Sequence, residues 1–125
     1  MPVKNKLLLV EDDELLRELL HELLTDDGFD VIDAYDGLEA QRLIESEVYS
    51  VILCDLMMPN MDGITFLQWL RARGIPTPVL ILSGAEYPAV MEELQALGVK
   101  DCFRKPLTGE GLTALSDRLQ QLVNG

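Results

Sequence analysis

Four acidic residues lie where apolar runs of the sequence end, and their chemistry is that of hard-cation binding or of nucleophilic attack. Glu11, Asp12 and Asp13 follow one apolar run, and Asp55 ends another, Val51–Cys54. Three carboxylates held about 4 Å apart near a surface repel by roughly 4 kcal/mol per pair, so such a cluster needs a cation. An oxygen-only set without histidine or cysteine favours Mg²⁺. Asp55 on its own also suits a simple turn cap.

A hydroxyl and an ammonium group follow two further predicted strands. Ser83 comes after the apolar run 79–82, and Lys105 comes two residues after the stretch 99–103. In an open parallel sheet, ligands and chemistry collect at the carboxyl ends of the strands. Metal, ammonium and hydroxyl around one carboxylate describe a receptor for a phosphoryl group, with Asp55 as the nucleophile.

The elements that must position these residues alternate between short apolar runs and amphipathic helical patterns. The helices are predicted from apolar residues at helical spacing, as in the leucine-rich stretch 15–24. Asp13 is predicted to cap this first helix and Gly28 to end it. Strands alternating with helices indicate a parallel sheet covered on both faces, here a single doubly wound (βα)5 sandwich, α/β in class, over residues 1–125. Strands are predicted at 6–10, 30–34, 51–55, 79–82 and 99–103.

Length, net charge and hydrophobic content limit the classes of function that the chain can have. The chain has 125 residues, 48% of them hydrophobic, which suits one domain. Its net charge of −12 argues against direct binding to nucleic acid or to an anionic membrane. No stretch approaches the roughly 20 apolar residues of a membrane span, and the first apolar run is too short for a signal peptide. We therefore expect a cytoplasmic protein.

The two cysteines and the single histidine are expected to have no chemical role. Cys54 and Cys102 have no CxxC spacing, which favours reduced structural thiols. His21 falls outside the leucine stripe of its helix, so a solvated surface position is expected.

Four motifs, in order and spacing, give the chain a resemblance to a known family. They are LLLVEDD at 7–13, DLMMPNMDG at 55–63, LSGA at 82–85 and KP at 105–106. Over nearly its whole length the chain resembles the receiver domains of bacterial two-component response regulators. The resemblance implies a flavodoxin-like parallel sheet in strand order 2-1-3-4-5.

The resemblance also implies roles for the acidic residues. Asp55 would accept a phosphoryl group from a phosphohistidine of a sensor histidine kinase or a histidine phosphotransfer protein. Asp12 would ligate Mg²⁺ directly and Glu11 through water, and the backbone carbonyl of Met57 would be a further ligand. A shifted register, with Asp12 and Asp13 as the acidic pair, is the alternative.

The remaining motif residues would act on the phosphoryl group. Lys105 would pair with its oxygens, and the Lys105–Pro106 bond looks like the family's cis peptide. Ser83 matches the switch hydroxyl, and Gly84 leaves the approach open. The domain would assist its own phosphorylation and dephosphorylation without being a conventional enzyme.

The family's output surface corresponds here to the fourth helix, fifth strand and fifth helix, about residues 86–123. This surface would control a downstream protein or output domain, or form a homodimer. Most receivers have an aromatic residue three positions before the lysine, where this chain has Cys102. Strand alternation points Phe103 to the opposite face, so we expect no aromatic swing. In the implied strand order Cys54 and Cys102 lie on strands about 9.6 Å apart, beyond disulfide reach.

Three other functions compete with the phosphoacceptor switch. A phosphorylation-independent interaction module would keep the fold but would not accept a phosphoryl group. The presence of the complete set of site residues argues against this function. An aspartyl phosphatase would need a second acid two residues after Asp55, where the chain has Met57. A flavodoxin-like cofactor binder would want a hydroxyl-rich loop after the first strand, where the chain has acids.

Overall fold

A computed structural model of the protein describes residues 4–84 and 88–124. Its five strands form one parallel sheet in the order β2-β1-β3-β4-β5, which confirms the predicted fold class and strand order. Residue 85, the last of the LSGA motif, and residues 86–87, the start of the predicted output surface, lie outside the described residues. The strands are β1 (Lys6–Val10), β2 (Asp30–Ala34), β3 (Val51–Asp55), β4 (Val79–Ser83) and β5 (Asp101–Arg104).

Five helices cover the two faces of the sheet. They are α1 (Glu14–Asp26), α2 (Gly37–Ser46), α3 (Gly63–Ala72), α4 (Pro88–Ala96) and α5 (Gly109–Asn124). Alternate residues of each strand point to opposite faces, and two apolar cores result. Leu8 and Val10 of β1 join the core under α2, α3 and α4, whereas Leu7 and Leu9 join the core under α1 and α5. Within the part of the chain that the structure describes, no helix is long and apolar enough to cross a membrane.

The caps predicted for α1 are present. The Asp13 carboxylate accepts hydrogen bonds from the backbone N–H groups of Leu15 (3.0 Å) and Leu16 (3.2 Å). Gly28 follows the helix with φ of +100°, a left-handed conformation that favours glycine. These two residues fix where the chain leaves β1 and where it returns to β2.

Three strand bounds differ from the prediction. β4 extends to Ser83, and β5 begins at Asp101 instead of residue 99 and ends at Arg104 instead of residue 103. Val99 is taken up by the end of α4, since its N–H donates to the Leu94 carbonyl at 3.1 Å. The apolar character of Val99 therefore reflects helix-end packing rather than strand pairing.

The Arg71 guanidinium joins the ends of three segments. It donates to the carbonyl of Leu97, just after α4, at 2.8 Å, and to those of Ile75 (2.7 Å) and Thr77 (3.0 Å) before β4. Burial lowers the pKa of Arg71. The side chain thus ties the end of α3 to the C-terminal end of α4.

Both cysteines are free thiols. Cys54 and Cys102 each pair with Ile81 of the intervening strand β4, from opposite sides, which confirms that no disulfide joins them. His21 is half-exposed, as expected for a surface residue, but its Nδ1 lies 2.7 Å from an Asp33 carboxylate oxygen. This contact gives the acid within β2 a partner.

Candidate functional site

The carboxyl ends of four neighbouring strands bring the predicted site residues to one edge of the sheet. Glu11 directly follows β1, Asp55 ends β3 and Ser83 ends β4. Lys105 follows β5 and stays next to β4, because its backbone N–H donates to the Ser83 carbonyl at 2.8 Å. The prediction that these residues converge is confirmed.

One ammonium group bridges two buried carboxylates at this edge. Lys105 Nζ lies 2.7 Å from Glu11 Oε1 and 3.1 Å from Asp55 Oδ2. Glu11 is fully buried and Asp55 is 3% exposed. Charges this far from water persist only when they are paired and hydrogen-bonded, so the three side chains form one electrostatic unit.

The backbone around Glu11 holds its carboxylate in place. Its own N–H donates to the Ala34 carbonyl at 3.0 Å, which continues the β1–β2 pairing past Val10. Its Oε2 accepts from the N–H of Asp13 at 3.0 Å. Arg17 donates to the Glu11 carbonyl at 2.9 Å. Glu11 is therefore positioned from both sides, by β2 and by the first turns of α1.

The surroundings of Glu11 and Asp55 disfavour the ionised form of both carboxyl groups. Burial, with a smaller contribution from the Asp55 charge, raises the pKa of Glu11 to about 7 against the opposing hydrogen bonds from Lys105 and the Asp13 backbone. Burial also raises the pKa of Asp55, although Lys105 opposes the change. Burial lowers the pKa of Lys105, but the bonds to Glu11 and Asp55 outweigh burial and leave it raised. The site has more negative charge than one lysine can offset.

This excess fits a divalent cation. Carboxylate oxygens of Glu11, Asp12 and Asp55 all lie within 4.8 Å of one another, and Asp12 is exposed. The set consists of hard oxygen donors, which Mg²⁺ prefers. The Asp13 carboxylate is instead used by the N-terminal amides of α1. The structure thus groups Glu11 and Asp12 with Asp55, and gives Asp13 the capping role.

The loop after β3 places the Met57 backbone beside the phosphoacceptor candidate. The Met57 N–H donates to Asp55 Oδ1 at 3.3 Å, while its side chain is 68% exposed. Gly63 closes the loop, since its N–H donates to the Leu56 carbonyl at 2.9 Å. A Cβ atom at Gly63 would lie 2.7 Å from the Asp55 carbonyl oxygen, so the close return of the chain requires glycine.

The other motif residues lie at the same edge. Ser83 is buried at the end of β4, and Gly84 after it is exposed. The Lys105–Pro106 peptide bond is cis, as the resemblance implied.

Cys102 and Phe103 point into different parts of the molecule. Cys102 packs against the core under α2, α3 and α4, whereas Phe103 packs against the core under α1 and α5. A cavity of about 240 Å³ lies between α4 and β5, and its lining includes Cys102, Ser83, Met91 and Leu94. The predicted opposition of the two side chains is confirmed, and both residues contribute to the lining of the cavity.

Sequence reasoning missed one buried acid near the site. Asp36 is 3% exposed and bonds both to the start of α2 and to Asn60 in the loop after β3. The Asp-Gly pair at 36–37 signals a turn and a helix start, but no local pattern shows that the carboxylate reaches another loop.

Comparison with known proteins identifies the family of the chain. The family model of the response regulator receiver domain matches residues 7–117. The transcriptional regulatory protein TctD of Salmonella typhimurium is 40% identical over 120 residues, 94% of this chain and 51% of that protein. The chain spans between 31% and 51% of the length of curated relatives such as this one.

Solved structures agree in fold. The Francisella response regulator 1452 receiver domain superposes with a TM-score of 0.87 at 34% identity, covering 97% of this chain and 98% of that one. The receiver domain of the sensor histidine kinase PA1611 from Pseudomonas aeruginosa, solved with a magnesium ion in its active site cleft, gives 0.85 at 26% identity, with coverage of 98% and 100%. The chain described here belongs to the response regulator receiver domain family of two-component signalling.

Proposed function

We propose that this receiver domain is a Mg²⁺-dependent phosphoacceptor switch in which Asp55 takes a phosphoryl group from a phosphohistidine. A carboxylate oxygen of Asp55 attacks phosphorus, a P–O bond forms and the P–N bond to the histidine breaks. The leaving imidazole keeps the bonding electrons and takes up a proton. The observation that carries the proposal is the Lys105 ammonium between the buried Glu11 and Asp55 carboxylates.

Asp12, Asp55 and the Met57 carbonyl would hold the metal ion directly, and Glu11 would hold it through water. The ion would supply positive charge to the phosphoryl oxygens during transfer. The grouping of the three carboxylates supports this assignment. So does the magnesium ion in the cleft of the PA1611 receiver domain, which is similar to this chain.

Lys105 and Ser83 would read the phosphorylated state. The phosphoryl group adds about −1.5 to −2 charges and three acceptor oxygens. Lys105 would exchange its contact with Asp55 for a phosphoryl oxygen, and the Ser83 hydroxyl would gain a bond available only after phosphorylation. A hydrogen bond to a charged group contributes roughly 1.5–3 kcal/mol, which shifts a two-state population by about 10- to 150-fold.

Two exposed apolar side chains on α1 support a docking role for this helix. Leu15 is 79% exposed and Leu19, one turn later, is 50% exposed. They follow directly after the acidic residues of the site, on the helix that Asp13 caps. Exposed apolar surface beside a site commonly marks a protein contact. We assign this surface to the phosphodonor, a sensor histidine kinase or a histidine phosphotransfer protein.

Phosphorylation would change the surface formed by α4, β5 and α5, and this surface would bind the downstream partner. The cavity between α4 and β5 gives α4 room to repack over Cys102. The partner at this surface would be a downstream protein, an output domain or a second copy of the chain. The switch would operate in the cytoplasm.

The experiment is phosphorylation by a small donor. The protein is incubated with acetyl phosphate and Mg²⁺, and intact mass is followed. We expect a single phosphoryl adduct that needs Mg²⁺ and that Asp55→Asn lacks. Asp117→Asn, which removes an exposed carboxylate from α5, is the matched control and should be modified as the wild type is. An adduct absent from the wild type, or equal in Asp55→Asn, would favour the phosphorylation-independent module.

A further inference from the structure

Asp36 joins two loops at the candidate site with its two carboxylate oxygens. Oδ1 accepts from the backbone N–H of Glu39 at 2.8 Å and caps α2. Oδ2 accepts from the side-chain amide of Asn60 at 2.8 Å. Asp36 is 3% exposed, so the loss of either bond would leave a carboxylate oxygen buried without that donor, which is costly.

Asn60 has a backbone conformation that suits this contact. Its φ is +68°, the left-handed region that asparagine tolerates better than most residues. It lies within the segment 56–62 between β3 and α3, where the Met61 N–H donates to the Pro59 carbonyl at 2.7 Å in a tight turn. The turn points the Asn60 amide towards the loop between β2 and α2.

The same two loops also lie in close contact at a second point. A Cβ atom at Gly37 would lie 2.9 Å from the Met61 side chain, so the loop after β3 lies directly on the start of α2. Asp36 and Gly37 are therefore adjacent residues with complementary effects. One bonds to the loop after β3, and the other makes room for it.

The segment that contains Met57 is thus held at two points. At its beginning the Met57 N–H donates to Asp55 Oδ1, and three residues later Asn60 is bonded to Asp36. Removing a group that orients a metal ligand through hydrogen bonds typically weakens metal binding about 10- to 100-fold. Both anchors lie on the chain segment that carries the Met57 carbonyl.

We propose that Asp36 is a positioning residue of this receiver domain: through Asn60 it orients the loop whose Met57 carbonyl ligates Mg²⁺. The inference rests on the proposed function, because it concerns the metal site of that same reaction. Asp36 is not among the proposed ligands of the metal or of the phosphoryl group, and its effect would pass through the loop.

The test compares Mg²⁺ affinity, measured by titration calorimetry on the whole chain, in two variants. Asn60→Gly keeps the left-handed backbone accessible and removes the amide, and we expect Mg²⁺ to bind about 10-fold more weakly. The double variant Asp36→Asn/Asn60→Asp reverses the pair, with the amide now donating from position 36 to a carboxylate at 60. It keeps the net charge and the cap of α2, and we expect affinity within about twofold of the wild type.

Urea unfolding of the metal-free variants separates positioning from a purely structural role. If Asn60→Gly changes only the unfolding free energy and binds Mg²⁺ as the wild type does, the inference is wrong. It is also wrong if the reversed pair binds as weakly as Asn60→Gly. A wild-type protein that binds no Mg²⁺ would instead refute the metal site itself, and the proposed function with it.

Discussion

Glu11→Gln should abolish a pH dependence in the stability of the metal-free protein. In the folded chain, burial raises the pKa of Glu11 from its ordinary value of 4.5 to about 7. At about 1.4 kcal/mol for each pH unit, this difference corresponds to about 3.5 kcal/mol. The value is an upper limit, because Lys105 and Asp55 titrate in contact with Glu11.

The direction follows from proton binding. Between pH 4.5 and 7 the folded protein holds a proton on Glu11 that the unfolded chain has released, so the folded state binds more protons. The free energy of unfolding therefore falls as the pH rises through this range. The stabilisation is fully present below pH 4.5 and is lost above pH 7.

The assay is urea unfolding with chelator present, followed by Trp69 fluorescence at several values between pH 5 and 8. Wild type should lose up to about 2.5 kcal/mol more than Glu11→Gln across this range, because part of the full difference falls below pH 5. Glu18→Gln, which removes an exposed carboxylate from α1, should behave as the wild type does. If the proposed metal site is correct, the trend should reverse with saturating Mg²⁺, because the ion would bind the ionised carboxylates and displace the proton. Equal slopes for wild type and Glu11→Gln would refute the assignment of the raised pKa to Glu11.

Three further predictions concern the same edge of the sheet. Lys105→Gln should lower the free energy of unfolding at pH 8 without Mg²⁺ by about 2–4 kcal/mol, since it leaves two buried carboxylates without their cation. Urea unfolding measures this loss, and an unchanged midpoint would contradict the prediction. Gly63→Ala should cost about 1–3 kcal/mol in the same assay because its Cβ meets the last carbonyl of β3, whereas Gly109→Ala, which meets nothing within 4 Å, should cost much less. In structures solved with and without beryllofluoride, Phe103 should keep its place in the core under α1 and α5, and its movement across the sheet would show an aromatic switch despite Cys102.

The fold and most of the site could be predicted because their signals are local. An acid after each of two apolar runs marks a strand end, and Asp13 marks the start of a helix by its chemistry alone. Since the carboxyl ends of parallel strands share an edge, the convergence of Asp55, Ser83 and Lys105 follows from the alternation of strands and helices. The start of β5 was misplaced because Val99 has the same apolar character whether it closes a helix or pairs in a sheet.

Contacts between distant segments could not be predicted in the same way. The sequence indicates that Lys105 faces acids, but its approach to Glu11 depends on how the sheet twists across β1, β3 and β4. The capping role of Asp36 at the start of α2 fully explains why an acid stands there, so the sequence gives no reason to expect its second bond, to Asn60. The contact of His21 with Asp33 depends on how α1 rotates over β2. Each of these contacts is set by tertiary packing.

The Arg71 contacts have a mechanical consequence for α4. A helix held just beyond its last residue resists sliding along its axis, but it can still tilt about the held end. With nine residues α4 is about 13 Å long, so a tilt of about 10° would carry its first turn through about 2 Å. The greatest travel would thus occur at the end of the helix that follows Ser83 along the chain, and the least beside Arg71. Any surface of α4 that reports the state of Asp55 should be sought in its first two turns.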